Sequence, residues 1–141
     1  ASRTLPGAVI GEGPVVRTGD ATYTFDAEAE QVLHVAREEL RAADPEFKSQ
    51  RQLMSGGTCE ASAFAVHGYR ATGIAFPLGN YHNAGDHGEV AAEYIALEDF
   101  VSGVKLVRQA VRGVARRHQS PALRRLGEVP PEPRQRLMES A

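Results

Sequence analysis

Two glycine-containing loops hold most of the side chains in this 141-residue sequence that could do chemistry. The first, Ser55-Gly56-Gly57-Thr58-Cys59-Glu60, opens a helix. Glycines there let a backbone approach a ligand closely, and the free N–H groups of a helix start attract carboxylate or carbonyl oxygens. Gly57 and Thr58 are therefore candidate substrate-lining residues, and Glu60 a candidate contact for a substrate amine. The plainer reading is a strand-to-helix turn with Thr58 as its cap. Cys59 falls in the first turn, where the helix dipole favours thiolate. A Cys59–His82 nucleophile and base pair is one option there, and a small packed residue is the other.

The second loop, Gly79–Glu89, carries His82 among Asn80, Tyr81, Asn83, Asp86, His87 and Glu89. It follows an apolar stretch that reads as a buried strand. An imidazole at the end of a strand is rigidly placed, which suits a metal ligand. His87 lies five residues on, a spacing that permits a shared chelate without favouring one. A surface histidine is the plainer reading for each. His34, His67 and His118 fall on expected helices and have no such surroundings.

These loops need a frame, and strand-like and helix-like segments alternate along the chain. Ala8–Thr18 is β-branched and broken by Gly11, Gly13 and Pro14, which suggests two short strand pieces around a turn. Ala21–Phe25 could be a further extended piece. Ala27–Ala43 is helical: Asp26 caps it, and Ala29, Val32, Leu33, Ala36, Leu40 and Ala43 recur on one face. Asp44-Pro45 ends it. Gln50–Met54 reads as a short strand, Thr58 to about Gly68 as a second helix, and Ala71–Leu78 as a buried strand. The last long helix covers about Leu97–Arg117, with an inward stripe of Leu97, Phe100, Val101, Val104, Val107, Val111 and Val114. Glu98 and Asp99 suit its positive end, and Arg116, Arg117 and His118 its negative end. Beyond Gln119, Pro121, Pro130, Pro131 and Pro133 point to a flexible tail, with at most a turn of helix at Leu123–Leu126.

Such alternation predicts an α/β layer structure with a mostly parallel sheet, and ligands in those sheets sit at the carboxyl ends of strands. Both candidate loops leave such ends. The hydrophobic share of 42% and charged share of 24% are ordinary for a globular domain. A single cysteine excludes an internal disulfide and a Cys-based zinc cage. No apolar run reaches the roughly 18 residues of a membrane helix, and the opening residues lack a signal peptide's pattern. The expected compartment is the cytoplasm. Charge is uneven: residues 1–104 hold 7 Lys/Arg against 15 Asp/Glu, and residues 105–141 hold 9 against 3. With no aromatics interleaved among the arginines, a solvated helix face fits better than a nucleic-acid arm.

The ordered set of parts resembles the glutamyl aminopeptidase (tetrahedral aminopeptidase) family of di-metal peptidases, within the zinc exopeptidases. It runs from Gly11-Glu12-Gly13-Pro14-Val15-Val16, through an amphipathic helix and Gln50–Met54, to Ser55–Asn83. It closes on the acidic-start helix Leu97–Val107, so it covers about residues 8–110. The resemblance implies a partial three-layer α/β sandwich over residues 1–118 with a flexible tail at 119–141. It implies two divalent metal ions, zinc by expectation, and hydrolysis of a peptide or small amide by metal-activated water. His82 matches the family's metal-binding histidine, Gly57 and Thr58 match its substrate pocket, and Glu60 is a shifted substitute for an acidic neighbour. Glu89 and Glu93 are read as supporting residues.

The family's His-x-Asp pair, bridging aspartate, Glu-Glu pair and further aspartate have no match here. The expectation is therefore part of an aminopeptidase catalytic domain, incomplete alone, whose partner is the missing N-terminal half or further copies of the chain. Two alternatives stay open: a non-catalytic binding or assembly module of the same ancestry, or a Cys59/His82 acyl-transfer enzyme.

Overall fold

A computed structural model describes residues 7–116, 127 and 130–140. At its centre is a three-stranded sheet in the order β2-β1-β3, formed by β1 (Val15–Arg17), β2 (Gln50–Gln52) and β3 (Gly73–Ala75). Val15 and Val16 are almost fully buried, which fits a strand with neighbours on both edges. The α/β class is as the sequence implies.

The sheet, expected to be mostly parallel, is mixed. β1 pairs parallel to β2, with Val16 opposite Arg51, and antiparallel to β3, with Val16 opposite Ile74. The cause lies in the connection from β2 to β3. A parallel return needs a crossover that carries the chain back along the sheet. Here the connecting helix α2 (Glu60–Val66) has only seven residues. It stays at the carboxyl end of β1: Ala21 N–H donates to the Gly57 carbonyl at 3.0 Å, and Asp26 N–H to the Ala71 carbonyl at 3.0 Å. The chain enters β3 from that same end, and so runs antiparallel to β1. The strand pieces are also shorter than the apolar runs that announced them, and β3 is only half-buried.

Helix α1 spans Ala27–Ala43, with Asp26 Oδ1 accepting from Ala29 N–H at 2.8 Å. It buries Leu33 and Ala36. It packs on α3 (Leu97–Gly113), which continues as a 3-10 turn over Val114–Arg116. Together with Val16 and Phe47, these helices form the core cluster of Leu33, Ala36, Leu106 and Ala110. Leu106 is fully buried, a burial that contributes about 1.5–3 kcal/mol.

α3 buries a face beside the stripe its large side chains suggest, and not the stripe itself. The buried residues are Asp99, Gly103, Leu106 and Ala110, whereas Leu97, Phe100, Val101, Val104, Val107, Val111 and Val114 are each 42–70% exposed. The small residues decide this. A Cβ on Gly103 would lie 2.4 Å from the Phe76 ring, so the helix backbone approaches the sheet where only glycine fits. A second departure is α4 (Pro131–Glu139), an exposed helix in a segment expected to stay irregular. Pro131 stands at its first position, where proline's missing N–H costs nothing and its fixed φ favours the helix. The expected turn at Leu123–Leu126 lies outside the described residues.

Candidate functional site

The His82 loop is closed at its base by a pair of backbone bonds between Gly79 and Tyr94, 2.9 and 3.2 Å long. Gly79 is required there, because a Cβ would sit 2.1 Å from the Tyr94 ring. A second bridge joins Ala84 to Val90. Between them the chain makes one 3-10 turn, Tyr81–Asn83, and three non-glycine residues, the one before the turn and two within it, take left-handed backbone angles. These are Asn80 (φ 52°), His82 (φ 59°) and Asn83 (φ 59°). Among non-glycine residues, asparagine and histidine are types found more often in that region, and the conformation persists where the surroundings hold it.

The surroundings here are identifiable. His82 N–H donates to Glu93 Oε2 at 2.9 Å, and Glu93 N–H donates to Asn83 Oδ1 at 3.2 Å. Asn80 Nδ2 donates to the Ala92 carbonyl at 2.8 Å, and Ala91 N–H to the Asn83 carbonyl at 3.0 Å. The result is an exposed imidazole beside the Tyr81 ring, 4.0 Å between centroids, on a backbone fixed from the opposite strand of the loop. Glu93 therefore acts on the backbone of His82. His87 belongs to a separate turn, where its N–H donates to Glu89 Oε2 at 3.0 Å.

The second candidate loop is organised by a residue the sequence reading passed over. Asp20 is buried, and its Oδ1 accepts from Thr22 N–H at 2.8 Å and Tyr23 N–H at 2.9 Å. Its Oδ2 accepts from Cys59 N–H at 2.8 Å and the Ser62 hydroxyl at 2.6 Å. These donors hold the carboxyl well below the usual carboxylate range, led by the Cys59 N–H and then the Ser62 hydroxyl, against the opposing effect of burial. Asp20 thus caps α2 from a distance. Cys59, and not Thr58, is the cap residue, without a side-chain bond of its own. The Thr58 hydroxyl instead meets the Thr22 hydroxyl.

Cys59 and Glu60 line a cavity of about 310 Å³ together with Arg17, Met54, Phe64 and Ile74. His82 is not among its lining residues, and no hydrogen bond among the described residues joins His82 to Gly57, Thr58, Cys59 or Glu60. The two loops are therefore separate small constructions on one scaffold.

The scaffold itself is locked by a second buried carboxylate. Asp99, in the first turn of α3, is 1% exposed, and its two oxygens accept from Gly13 N–H at 2.7 Å and Gly11 N–H at 2.8 Å. The Gln50 side chain holds the same turn, accepting from Val9 N–H and donating to the Val9 and Gly13 carbonyls at 2.8–2.9 Å. Gly13 has φ +85°, and a Cβ there would lie 2.1 Å from the Lys48 carbonyl oxygen. The Gly-x-Gly-Pro segment is thus a clamp between α3, β1 and β2. A signal for Asp99 does exist in the sequence: it shares the 3–4 spacing of Gly103, Leu106 and Ala110.

The donor set does not by itself fit a pair of zinc ions. His82 brings one imidazole, and the Glu93 carboxylate is engaged by its backbone. Among the described residues, no group of three or more His, Cys, Asp or Glu side chains is placed to hold a metal ion.

No protein-family model matches the chain, and no curated protein matches it. Among solved structures, it is similar to a TET aminopeptidase from the marine sediment archaeon Thaumarchaeota archaeon SCGC AB-539-E09. That likeness has TM-score 0.56 and 19% identity, over 74% of this chain and 29% of the other. It is also similar to aminopeptidase APDkam598 from the archaeon Desulfurococcus kamchatkensis, with TM-score 0.58 and 22% identity, over 77% of this chain and 30% of the other. The shared feature is the fold, and the chain spans under a third of the length of either protein.

Proposed function

We propose that this chain is a portion of a peptidase-type hydrolase domain that acts on peptides or small amides and contributes His82 as one metal ligand. The observation that carries the reading is the His82 turn. A histidine is held in a left-handed conformation by bonds from the far side of its own loop, and its imidazole is left facing solvent. The likeness in fold to two archaeal aminopeptidases supports the same reading.

On this reading the remaining ligands and the general base come from outside the described residues. Glu60, which lines the cavity at the start of α2, and the preceding Gly57 and Thr58 are the proposed substrate contacts. Zinc is the expected ion. Calorimetric zinc titration at neutral pH of the 141-residue chain and of His82→Ala tests the assignment. Because His82 is the one ligand this reading assigns among the described residues, it requires weak binding that is reduced further in the variant. Binding that persists in His82→Ala, or is absent from both, overturns it.

A further inference from the structure

The exposed face of α3 repeats with the same three-four step as its buried face. Leu97, Phe100, Val104, Val107, Val111 and Val114 follow one another at alternating steps of three and four, the seam of a helix that packs on another helix. Phe76 packs on Phe100, with ring centroids 5.7 Å apart, and the seam residues remain largely exposed among the described residues. The seam borders two apolar grooves, of about 360 and 400 Å³: one beside Ile74 and Phe76, the other beside Val32 and Leu33. β3, alongside it, has a free edge, since it pairs only with β1.

Charge selects the occupant. Lys105, Arg108 and Arg112 flank the seam, are exposed, and have no ion-pair partner among the described residues. A second copy laid seam to seam would bring this cationic flank beside its twin. We propose that the α3 seam docks an amphipathic helix with branched apolar residues at the matching three-four spacing and an Asp/Glu flank. It would be supplied by the remainder of the peptidase-type domain. The partner's source rests on the function proposed above; the complementarity does not, and His82 takes no part in it.

The test uses the full chain and two synthetic 18-residue helices that share a Leu/Val seam and differ in flank, Glu in one and Lys in the other. Fluorescence anisotropy should show the Glu helix binding at least about tenfold more tightly than the Lys helix, less so as salt rises. Val104→Glu with Val111→Glu should abolish binding, and Arg108→Glu with Arg112→Glu should reverse the preference. All four positions are exposed, and a circular-dichroism melt of each variant checks that it folds. Equal binding of the two helices, or none, overturns the proposal. So does a concentration-dependent dimer, seen by sedimentation, that Val104→Glu dissociates. A negative result here with intact His82-dependent zinc binding would sink the docking alone.

Discussion

Replacing Asp99 tests whether the fold is held from the start of α3. Asp99→Ala removes both acceptors from the Gly11 and Gly13 N–H groups, bonds of 2.8 and 2.7 Å to a carboxylate that is 1% exposed. A hydrogen bond to a charged group contributes about 1.5–3 kcal/mol. The Gly13 bond is buried and is lost outright, while Gly11 is exposed and water replaces part of its bond. The expected loss is therefore about 3–4 kcal/mol, out of the roughly 5–15 kcal/mol that holds a domain of this size. With a urea slope of about 2 kcal/mol/M, that moves the unfolding midpoint down by about 1.5–2 M. Asp99→Asn keeps the shape but turns one oxygen into a donor facing an N–H, so it should recover less than half of the loss. Glu98→Ala is the control: it shares the helix dipole, is exposed, and should change stability by less than about 0.5 kcal/mol. If Asp99→Ala and Glu98→Ala shift the midpoint equally, the clamp is not holding the fold.

Gly13→Ala should be at least as damaging as Asp99→Ala, because its Cβ meets the Lys48 carbonyl oxygen at 2.1 Å and φ is +85°; an unchanged melting temperature would refute this. Asp20 carries a pH signature. Its carboxyl titrates below the ordinary range when folded, so the unfolded chain takes up the proton first. The stability it contributes is complete above about pH 4 and is lost as pH falls. Asp20→Asn should flatten the acid limb of melting temperature against pH, and superimposable acid limbs would remove Asp20 from the account. His82→Gly should leave stability unchanged or raise it by up to about 1 kcal/mol, since glycine relieves the left-handed strain at φ 59°. A clear loss of thermal stability would mean that the imidazole is a packing group.

Local signals in the sequence carried the helices well and the faces poorly. Asp26 and the apolar spacing place α1 at Ala27–Ala43, the residues observed, because cap, stripe and Asp-Pro stop all agree. Gly68, at φ +82° just beyond α2, ends that helix as its position suggests. For α3, periodicity favours the face with the bulkier residues. The fold instead buries Gly103, Leu106 and Ala110, because a tight approach to Phe76 and Pro14 requires small side chains. That choice depends on a partner surface and is invisible along one helix. The same limit hid Asp20, which accepts from Cys59 N–H 39 positions away, and the partners of Asp99, 86 and 88 positions away, although its spacing on α3 was visible. His82 was legible as a histidine leaving a strand, but its left-handed turn and the grip of Glu93 are products of loop closure at Gly79 and Tyr94.

On the function proposed above, His82 is displayed to bind metal. The most direct measurement is a zinc titration followed on the histidine side-chain nitrogens by NMR, with the His82 signals assigned by comparison with His82→Ala. The account predicts that the His82 ring nitrogens shift or broaden first and saturate, while those of His34 and His67 stay in place. A His82 signal that ignores zinc, or moves no more than its counterparts on the helices, would contradict it.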